Sequence, residues 1–344
     1  MSAQATVQPM VQATVQPVGF MLPIHQVIDR YAPYLAACRD HLAGDLAHAP
    51  SAQHLATYFE RGKMIRPMLV FLSAAAVGGQ AMDAMPAAEA IEMLHVAALL
   101  HDDIIDRAEE RRGLPALHRS IGEAATIVVG DYLILKAFDV LARAAENAPS
   151  AVVLKAVRLL SQHAQQCCQG QFRELEPSHN GSAELQYFSI ARGKTASQFS
   201  AAVTLGAAFG KASDQDFKAL QSFGTNAGIA YQIRDDELDV TGDSAILGKP
   251  AGNSMEAGRP LLPLIYLAKH GSRAAQAAFA AMPRNNGYRR DLIRILEEEG
   301  LLARVRRIEQ RFLLRACSAL KRLPPSAERD ALQAVGTYSV YRDC

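Results

Sequence analysis

Residues 91–106 read IEMLHVAALLHDDIID, an almost wholly apolar run that ends in three aspartates. On a helix, Asp102 and Asp106 project from the same face one turn apart, and Asp103 lies beside them. Like charges this close repel one another, and a divalent cation would relieve the repulsion. Because the donors are carboxylate oxygens, they suit Mg²⁺, which keeps some waters and bridges to substrate phosphates. The stretch therefore predicts an apolar helix whose C-terminal end binds metal.

The segment 231–240, YQIRDDELDV, repeats this arrangement at the end of another apolar-rich helix. Asp235 and Asp239 are again four residues apart, and Asp236 follows Asp235. One such cluster is weak evidence, because acidic helix ends are common on protein surfaces. Two clusters about 130 residues apart are a stronger signal. If the helices face each other, six carboxylates surround one cavity mouth, where several Mg²⁺ ions would hold a diphosphate.

Cationic side chains accompany the two acidic clusters. They are Lys63 and Arg66 in GKMIRP, Arg111 and Arg112 in RRG, Lys194 in GKT and Lys249 in GKP. Each alone is more often a solvated surface charge, but together they indicate a phosphate site, since arginine binds phosphate as a fork and lysine as a point charge. His95 lies on the same helical stripe as Asp102, which favours a place in the cavity over a purely structural role.

The composition excludes several classes of protein. The chain has 344 residues, of which 49% are hydrophobic and 21% charged, and its formal net charge is +1. These values are typical of a globular protein and predict no nucleic-acid partner. The longest apolar runs fall short of the ~20 residues of a transmembrane segment. The five cysteines match no metal-binding spacing, which favours free thiols in a reducing cytoplasm.

The apolar spacing separates a tail from a helical body. Residues 1–19 contain an uncharged direct repeat without a signal-peptide pattern, and we expect a disordered low-complexity tail. Beyond it, apolar residues recur every three or four positions, and long alternating segments typical of strands are missing. The helical segments are 63–77, 86–105, 121–145, 151–174, 185–210 and 214–240. We therefore predict one all-α domain over residues 20–344, packed around a central space.

In chain order, the motifs GKMIRP, LLHDDIID, RRG, GDYL, GKT, YQIRDDELD and GKP resemble those of the trans-isoprenyl (polyprenyl) diphosphate synthases. The resemblance runs from about residue 25 to the terminal YSVYRDC. It implies the isoprenoid synthase fold, a helical bundle in which two acidic helix ends face each other across a deep apolar pocket. It also implies a homodimer that binds isopentenyl diphosphate and an allylic diphosphate.

The chemistry implied by this resemblance is prenyl transfer. Mg²⁺ and cationic side chains neutralise the leaving diphosphate of the allylic substrate, so that its C–O bond breaks to a carbocation. An apolar pocket shields that cation from water while the double bond of isopentenyl diphosphate attacks it. The expected enzyme lengthens a substrate such as farnesyl diphosphate to an all-trans product of geranylgeranyl length or longer.

The resemblance implies roles for individual residues as well. The six aspartates and Lys194 would be catalytic, with three Mg²⁺ ions per active site held by Asp102, Asp106 and Asp235, and with Asp103, Asp236 and Asp239 around them. The allylic diphosphate would bind Arg111, Lys194, Thr195, Gln232 and Lys249. Isopentenyl diphosphate would bind Lys63, Arg66, His95 and Arg112.

Four positions depart from the family pattern. Met64 replaces an arginine-like residue, Ser254 an aspartate, Arg259 a lysine and Leu261 a threonine. Arg259 keeps its charge, whereas Ser254 and Leu261 bear on how the diphosphate is oriented or the site is covered.

Product length is expected to depend on the residues just below the first cluster. Ala98 lies one turn below Asp102, with Ala97 beside it, where bulky aromatic residues of the family form the pocket floor. Two alanines leave this space open, which favours a product longer than farnesyl. The alternative is a floor deeper in the pocket, near Leu133 or Phe138.

Three other interpretations compete with a synthase. A class I terpene cyclase would share the fold but would not need a second aspartate cluster or an isopentenyl site. A regulatory subunit of a heteromeric synthase would tolerate the loss of aspartates, and all six are present. Glu92-x-x-His95 matches half of a di-iron carboxylate site, but such a bundle needs two such pairs on its helices, and none of the predicted helical segments contains a second one.

Overall fold

The computed structural model describes residues 23–176, 182–242, 259–282 and 288–341. The described residues are almost entirely helical, which confirms the predicted all-α class. The first half contains α1 (Ile24–Asp45), α2 (Ala52–Glu60), α3 (Ile65–Ala76), α4 (Met85–Ile105), α5 (Leu117–Ile121), α6 (Glu123–Arg143) and α7 (Ser150–Leu175). The second half contains α8 (Ala183–Ala191), α9 (Ser197–Phe209), α10 (Asp214–Thr241), α11 (Leu262–His270), α12 (Arg273–Ala281), α13 (Tyr288–Glu298), α14 (Leu301–Leu320) and α15 (Ala327–Tyr341).

Some predictions lie outside the described residues. These are the tail at 1–19, the diphosphate ligand Lys249 and the departure at Ser254. The extent of the single domain over 20–344 likewise stays a prediction.

Helix α4 is the central element of the bundle. Pro86 starts its first turn, where the missing backbone N–H removes no hydrogen bond, and small or apolar residues follow on every side. The helix packs against α3, α6 and α9 and is buried along most of its length. Because nearly all of α4 is enclosed, its acidic end is directed toward a site inside the bundle rather than into bulk water.

A short hairpin follows α4 that the sequence pattern did not reveal. Strands β1 (Glu110–Arg111) and β2 (Leu114–Pro115) pair antiparallel across Arg112 and Gly113. Both turn residues have positive φ angles, 55° at Arg112 and 72° at Gly113, as a two-residue hairpin turn requires. Left-handed backbone is strained for arginine, and this tight turn fixes the direction in which the Arg112 side chain leaves the chain.

The predicted helix at 185–210 is interrupted in the structure. A π-helical turn, Arg192–Ala196, separates α8 from α9 and widens the helix at GKT. Helix α7 crosses this turn in close contact, and a Cβ atom on Gly170 would lie 2.5 Å from the backbone nitrogen of Lys194. A side chain at position 170 would therefore push the turn away, so glycine is required there. Turns of this kind interrupt α-helices frequently at functional sites.

Two large apolar clusters, with a third of only three buried residues, fill the described part of the bundle. The larger is built from α1 to α7, α9, α10, α14 and α15, and the smaller from α8 and α10 to α14. Helix α10 contributes to both, and it packs along α14 and α9. Among the described helices, none has the length and apolar composition that a bilayer span needs. The four cysteines of the described residues, Cys38, Cys167, Cys168 and Cys317, are free thiols.

Candidate active site

The acidic ends of α4 and α10 share one cavity of about 1020 Å³. Asp102 and Asp106 line it from α4, and Asp235 and Asp236 line it from α10. The two aspartate clusters thus meet across a common opening and do not point into separate solvent regions.

Most of the residues predicted from the sequence line this cavity. In addition to the four aspartates, they are Lys63, Arg66, His95, Ala98, Arg111, Arg112, Lys194, Thr195 and Gln232. Three predicted residues are buried behind the wall: Ala97, Asp103 and Asp239. Ala98 faces the cavity whereas its neighbour Ala97 is packed in the core, because adjacent helix positions point in different directions.

Each carboxylate of the first cluster pairs with a cation from another part of the chain. Lys194 Nζ lies 2.9 Å from Asp102 Oδ1. Arg111 Nε donates to Asp103 Oδ1 at 2.8 Å, and Arg259 forms an ion pair with Asp106. Burial raises the pKa of Asp103, and the hydrogen bond from Arg111 opposes that shift. The cluster is therefore charge-balanced by side chains, two of which the sequence had assigned to the diphosphate.

Asp236 of the second cluster is held instead by a chain of an amide and a hydroxyl group. Thr195 Oγ1 donates to Gln232 Oε1 at 2.5 Å, and Gln232 Nε2 donates to Asp236 Oδ1 at 2.7 Å. This chain joins the π-helical turn to α10. Burial raises the pKa of Asp236 to about 7, and the hydrogen bond from Gln232 only partly opposes it. A buried carboxyl of this kind gains its charge when a cation binds close to it.

Lys194 connects the first cluster to a carboxylate that the sequence analysis missed. Its Nζ lies 2.7 Å from Glu174 Oε2 as well as 2.9 Å from Asp102 Oδ1. Burial lowers the pKa of Lys194, but the charges of Asp102 and Glu174 outweigh burial, so the net pKa is raised. Lys194 is therefore a fully charged ammonium at the cavity wall.

The cations assigned to isopentenyl diphosphate lie toward α3 and the hairpin. Arg66 is the second residue of α3, and its guanidinium lies 5.5 Å from the centre of the Phe199 ring, while Arg112 donates to the backbone oxygen of Tyr58. His95 Nδ1 lies 3.1 Å from Gln198 Oε1, a bond in which the imidazole donates. Burial and the nearby Arg66 hold the pKa of His95 well below its usual value, so the ring is neutral.

Some residues of the cavity wall were absent from the sequence prediction. Glu174 and Gln171 line the cavity from α7, and Tyr231 lines it from α10. The helical spacing of Cys167, Gln171 and Glu174 places them on one stripe of α7, which is the signal that could have revealed them. Arg259 had been noted only as a departure from the family, yet its ion pair with Asp106 places it in the site.

Two further departures, Met64 and Leu261, are apolar and line the cavity. Met64 is buried, has a φ of 50° and precedes the first residue of α3. Leu261 is buried in the smaller apolar cluster and precedes the first residue of α11. Both residues face the cavity with hydrocarbon where the family pattern has a polar group.

The fold and this site define a helical synthase with two opposed acidic helix ends. The family model described as polyprenyl synthetase matches residues 50–297, so the chain belongs to the polyprenyl synthetase family. The relatives include the geranylgeranyl diphosphate synthase of Methanosarcina mazei, 38% identical over 211 residues, which are 61% of this chain and 64% of that one. They also include the octaprenyl diphosphate synthase of Escherichia coli, 32% identical over 82% of this chain and 86% of that one.

The solved structures lead to the same family. A polyprenyl synthase from Caulobacter crescentus, complexed with calcium and isoprenyl diphosphate, superposes with a TM-score of 0.83. It is 28% identical in sequence, and the superposition covers 95% of this chain and 100% of that one. The chain shares the isoprenoid synthase fold with this enzyme and is a prenyltransferase by family membership. The alignment with the Methanosarcina enzyme spans slightly less than two thirds of that relative.

Proposed function

We propose that this protein is a Mg²⁺-dependent trans-polyprenyl diphosphate synthase that condenses isopentenyl diphosphate with an allylic diphosphate such as farnesyl diphosphate. The observation that carries the proposal is the single cavity lined by both aspartate clusters and by the predicted cations. A deep pocket with charged groups at its mouth suits a substrate with a diphosphate head and a hydrocarbon tail.

The donor set fits magnesium. Asp102, Asp106 and Asp235 present carboxylate oxygens to the cavity, and the buried Oδ2 atom of Asp103 has no hydrogen-bond partner among the described residues. Across the described residues, His, Cys, Asp and Glu side chains form no group of three placed to hold an ion by themselves. Mg²⁺ is typically bound by one or two carboxylates together with substrate phosphates, so the diphosphate would complete the coordination of three ions. Bound there, the ions would supply the Lewis acidity that stabilises the leaving diphosphate.

The protein's own residues orient the two substrates. Lys194, Arg111 and Lys249, with Thr195 and Gln232, bind the allylic diphosphate and stabilise the charge that develops as it leaves. Lys63, Arg66, His95 and Arg112 bind the diphosphate of isopentenyl diphosphate on the opposite side. Holding the two diphosphates apart aligns the double bond with the allylic carbon, and the apolar wall near Ala98 excludes water from the carbocation.

We propose a product of geranylgeranyl length or longer. Ala98 lines the cavity one turn below Asp102, and its methyl group leaves room for a growing chain. The Methanosarcina and Escherichia relatives are named for geranylgeranyl and octaprenyl products, which supports a product beyond farnesyl.

We also propose a homodimer in the cytoplasm. Helix α6 exposes the large apolar residues Ile127, Val128 and Leu135, and such a patch on a globular protein is typical of an interface. The free cysteines support a reducing compartment. Sedimentation velocity of the wild type and of Leu135→Asp tests the assembly: we expect a dimer that the variant weakens, and a monomeric wild type would refute it.

The activity is tested by incubating the purified protein with Mg²⁺, isopentenyl diphosphate and farnesyl diphosphate, with released diphosphate and product length as readouts. We expect elongation that stops when EDTA removes the metal. Diphosphate release that needs no isopentenyl diphosphate would indicate a terpene cyclase instead. Complete inactivity that a partner protein restores would indicate a regulatory subunit.

A further inference from the structure

Glu92 occupies a place in the cavity for which the proposed reaction gives no role. It lies on α4 three residues before His95, so both side chains are on the same face of the helix. It is only 2% exposed, yet it lines the cavity together with Arg66 and Arg112. A buried carboxylate in a site that binds anions requires an explanation, because its charge repels the expected ligand.

The carboxylate of Glu92 and the guanidinium of Arg112 converge beside Gly62. A Cβ atom on Gly62 would lie 3.4 Å from Glu92 Oε1 and 3.1 Å from Arg112 Nη1. Arg39 approaches the same residue from the other direction, with Nη2 donating to the Gly62 carbonyl oxygen at 3.2 Å. Glycine at position 62 thus leaves the space in which an acid and two arginines come together.

Burial raises the pKa of Glu92, the two arginines oppose that shift, and a charged Glu92 in turn favours the charged forms of Arg66 and Arg112. Burial lowers the pKa of each arginine, and Glu92 is the strongest influence acting in the opposite direction for both. The two guanidiniums also repel each other. Without a neighbouring anion, these two half-buried like charges would be driven apart or toward water, because desolvating an uncompensated charge is costly.

We propose that Glu92 is a positioning residue for isopentenyl diphosphate, holding the guanidiniums of Arg66 and Arg112 where the substrate's diphosphate binds. The inference rests on the proposed function, since it takes these arginines to be the isopentenyl diphosphate ligands. Preorganised donors bind an anion without first rearranging, and this advantage is lost when the group that holds them is removed.

Two opposite effects decide what the loss of Glu92 does. Its charge repels the diphosphate, so an acid with no positioning role would make binding tighter when neutralised. Its hold on the arginines favours binding, so a positioning acid would make binding weaker when neutralised. We expect the second effect to dominate, because the Nε atom of Arg66 is buried and Glu92 is the strongest attraction acting on this guanidinium.

The experiment compares Glu92→Gln with Glu89→Gln. Glu89 is one turn earlier on α4 and is similarly buried, but it hydrogen-bonds His41 outside the cavity, so it is a matched control. Isopentenyl diphosphate is titrated into each protein by calorimetry, and the KM of each substrate is measured separately. We expect Glu92→Gln to weaken binding and raise the isopentenyl diphosphate KM about tenfold, with the allylic KM within about twofold. Glu89→Gln should leave both values unchanged.

Unchanged or tighter binding by Glu92→Gln would overturn the inference. If Glu92→Gln does not fold, Glu92→Asp keeps the charge on a shorter arm, and we expect weaker binding with a normal allylic KM; wild-type binding by that variant would overturn the inference too. The variants Arg66→Gln and Arg112→Gln test the proposed isopentenyl diphosphate site separately from the role of Glu92. If these variants bind isopentenyl diphosphate like the wild type, the proposed site is wrong; if they lose binding while Glu92→Gln keeps it, only the role of Glu92 is wrong.

Discussion

The ends of α4 and α10 carry the same DDxxD pattern in different electrostatic surroundings. On α4, Asp102, Asp103 and Asp106 are paired with Lys194, Arg111 and Arg259. On α10, Asp236 is hydrogen-bonded to the neutral amide of Gln232, and burial raises its pKa to about 7. The first cluster is neutralised by cations, whereas Asp236 of the second cluster has a raised pKa because it is desolvated.

This difference shows how one motif can serve two purposes. The cations that balance the first cluster include Lys194 and Arg111, which are proposed to bind the allylic diphosphate. When the substrate binds, its diphosphate would then replace the aspartates of the first cluster as the partner of these cations. Asp236 of the second cluster accepts a hydrogen bond from the neutral amide of Gln232 and has a raised pKa, so its carboxyl would gain most from a nearby metal ion.

The largest expected effect is on turnover. Asp102→Ala and Asp235→Ala should each lower kcat by about 10³-fold or more, because each removes an oxygen donor proposed to bind metal. Steady-state assays at saturating Mg²⁺ measure the change, and circular dichroism checks that the fold is retained. Turnover like that of the wild type in either variant would contradict the metal assignment for that cluster.

The second largest expected effect is on the stability of the fold, and it should differ between the two aspartate clusters. Asp103→Asn should lower the free energy of unfolding by roughly 2–3 kcal/mol, because Arg111 loses its buried partner. Asp236→Asn should cost far less at pH 8, since an amide replaces a desolvated carboxyl and can still bond Gln232. Urea unfolding of both variants without metal tests this contrast, and equal losses would show that the two surroundings do not differ.

The third effect concerns the space one turn below each cluster. That position holds Ala98 on α4 and Tyr231 on α10, and both residues line the cavity. Ala98→Phe would make the two walls alike and should shorten the main product by one or more isoprene units. Ala97→Phe is the control, because this position is packed in the core and overfilling it should destabilise the protein by about 1–3 kcal/mol. An unchanged product distribution in Ala98→Phe would place the floor deeper, near Leu133 or Phe138.

The smallest expected effect concerns two buried glutamates that do not line the cavity, one on α4 and one on α10. Glu237 on α10 is held by Arg306 Nε at 2.7 Å, whereas Glu89 on α4 faces His41, and burial raises the pKa of Glu89 to about 7. A raised carboxyl pKa means that the folded state binds more protons than the unfolded state between the ordinary value of 4.5 and about 7. The stability that protonated Glu89 contributes is complete below that range and is lost as the pH rises through about 7.

Glu89→Gln should therefore remove part of the pH dependence. Between pH 5 and pH 8, the free energy of unfolding of the wild type should fall relative to that of the variant, by at most about 1.4 kcal/mol per pH unit. Chemical unfolding at several pH values measures the difference. Parallel pH profiles for the two proteins would contradict the raised pKa.

Much of the fold was predictable because burial imposes periodicity. The predicted segment 86–105 corresponds to α4 at Met85–Ile105, and 214–240 to α10 at Asp214–Thr241. The hairpin around Arg112 and the π-helical turn at GKT were not predictable, since a two-residue strand is too short for a pattern and a π-turn preserves the composition of a helix. Both irregular elements carry cavity side chains.

The sequence by itself determined the course of most of the long helices and the acidic ends of α4 and α10, because apolar spacing, breakers and charge are local properties of the chain. Only the tertiary structure decided that Lys194 meets Asp102, that Arg259 meets Asp106 and that Glu92 lies among arginines. These partners are up to about 150 residues apart in the chain. Their pairing depends on how the helices cross and on what burial does to each charge, and local sequence encodes neither of these.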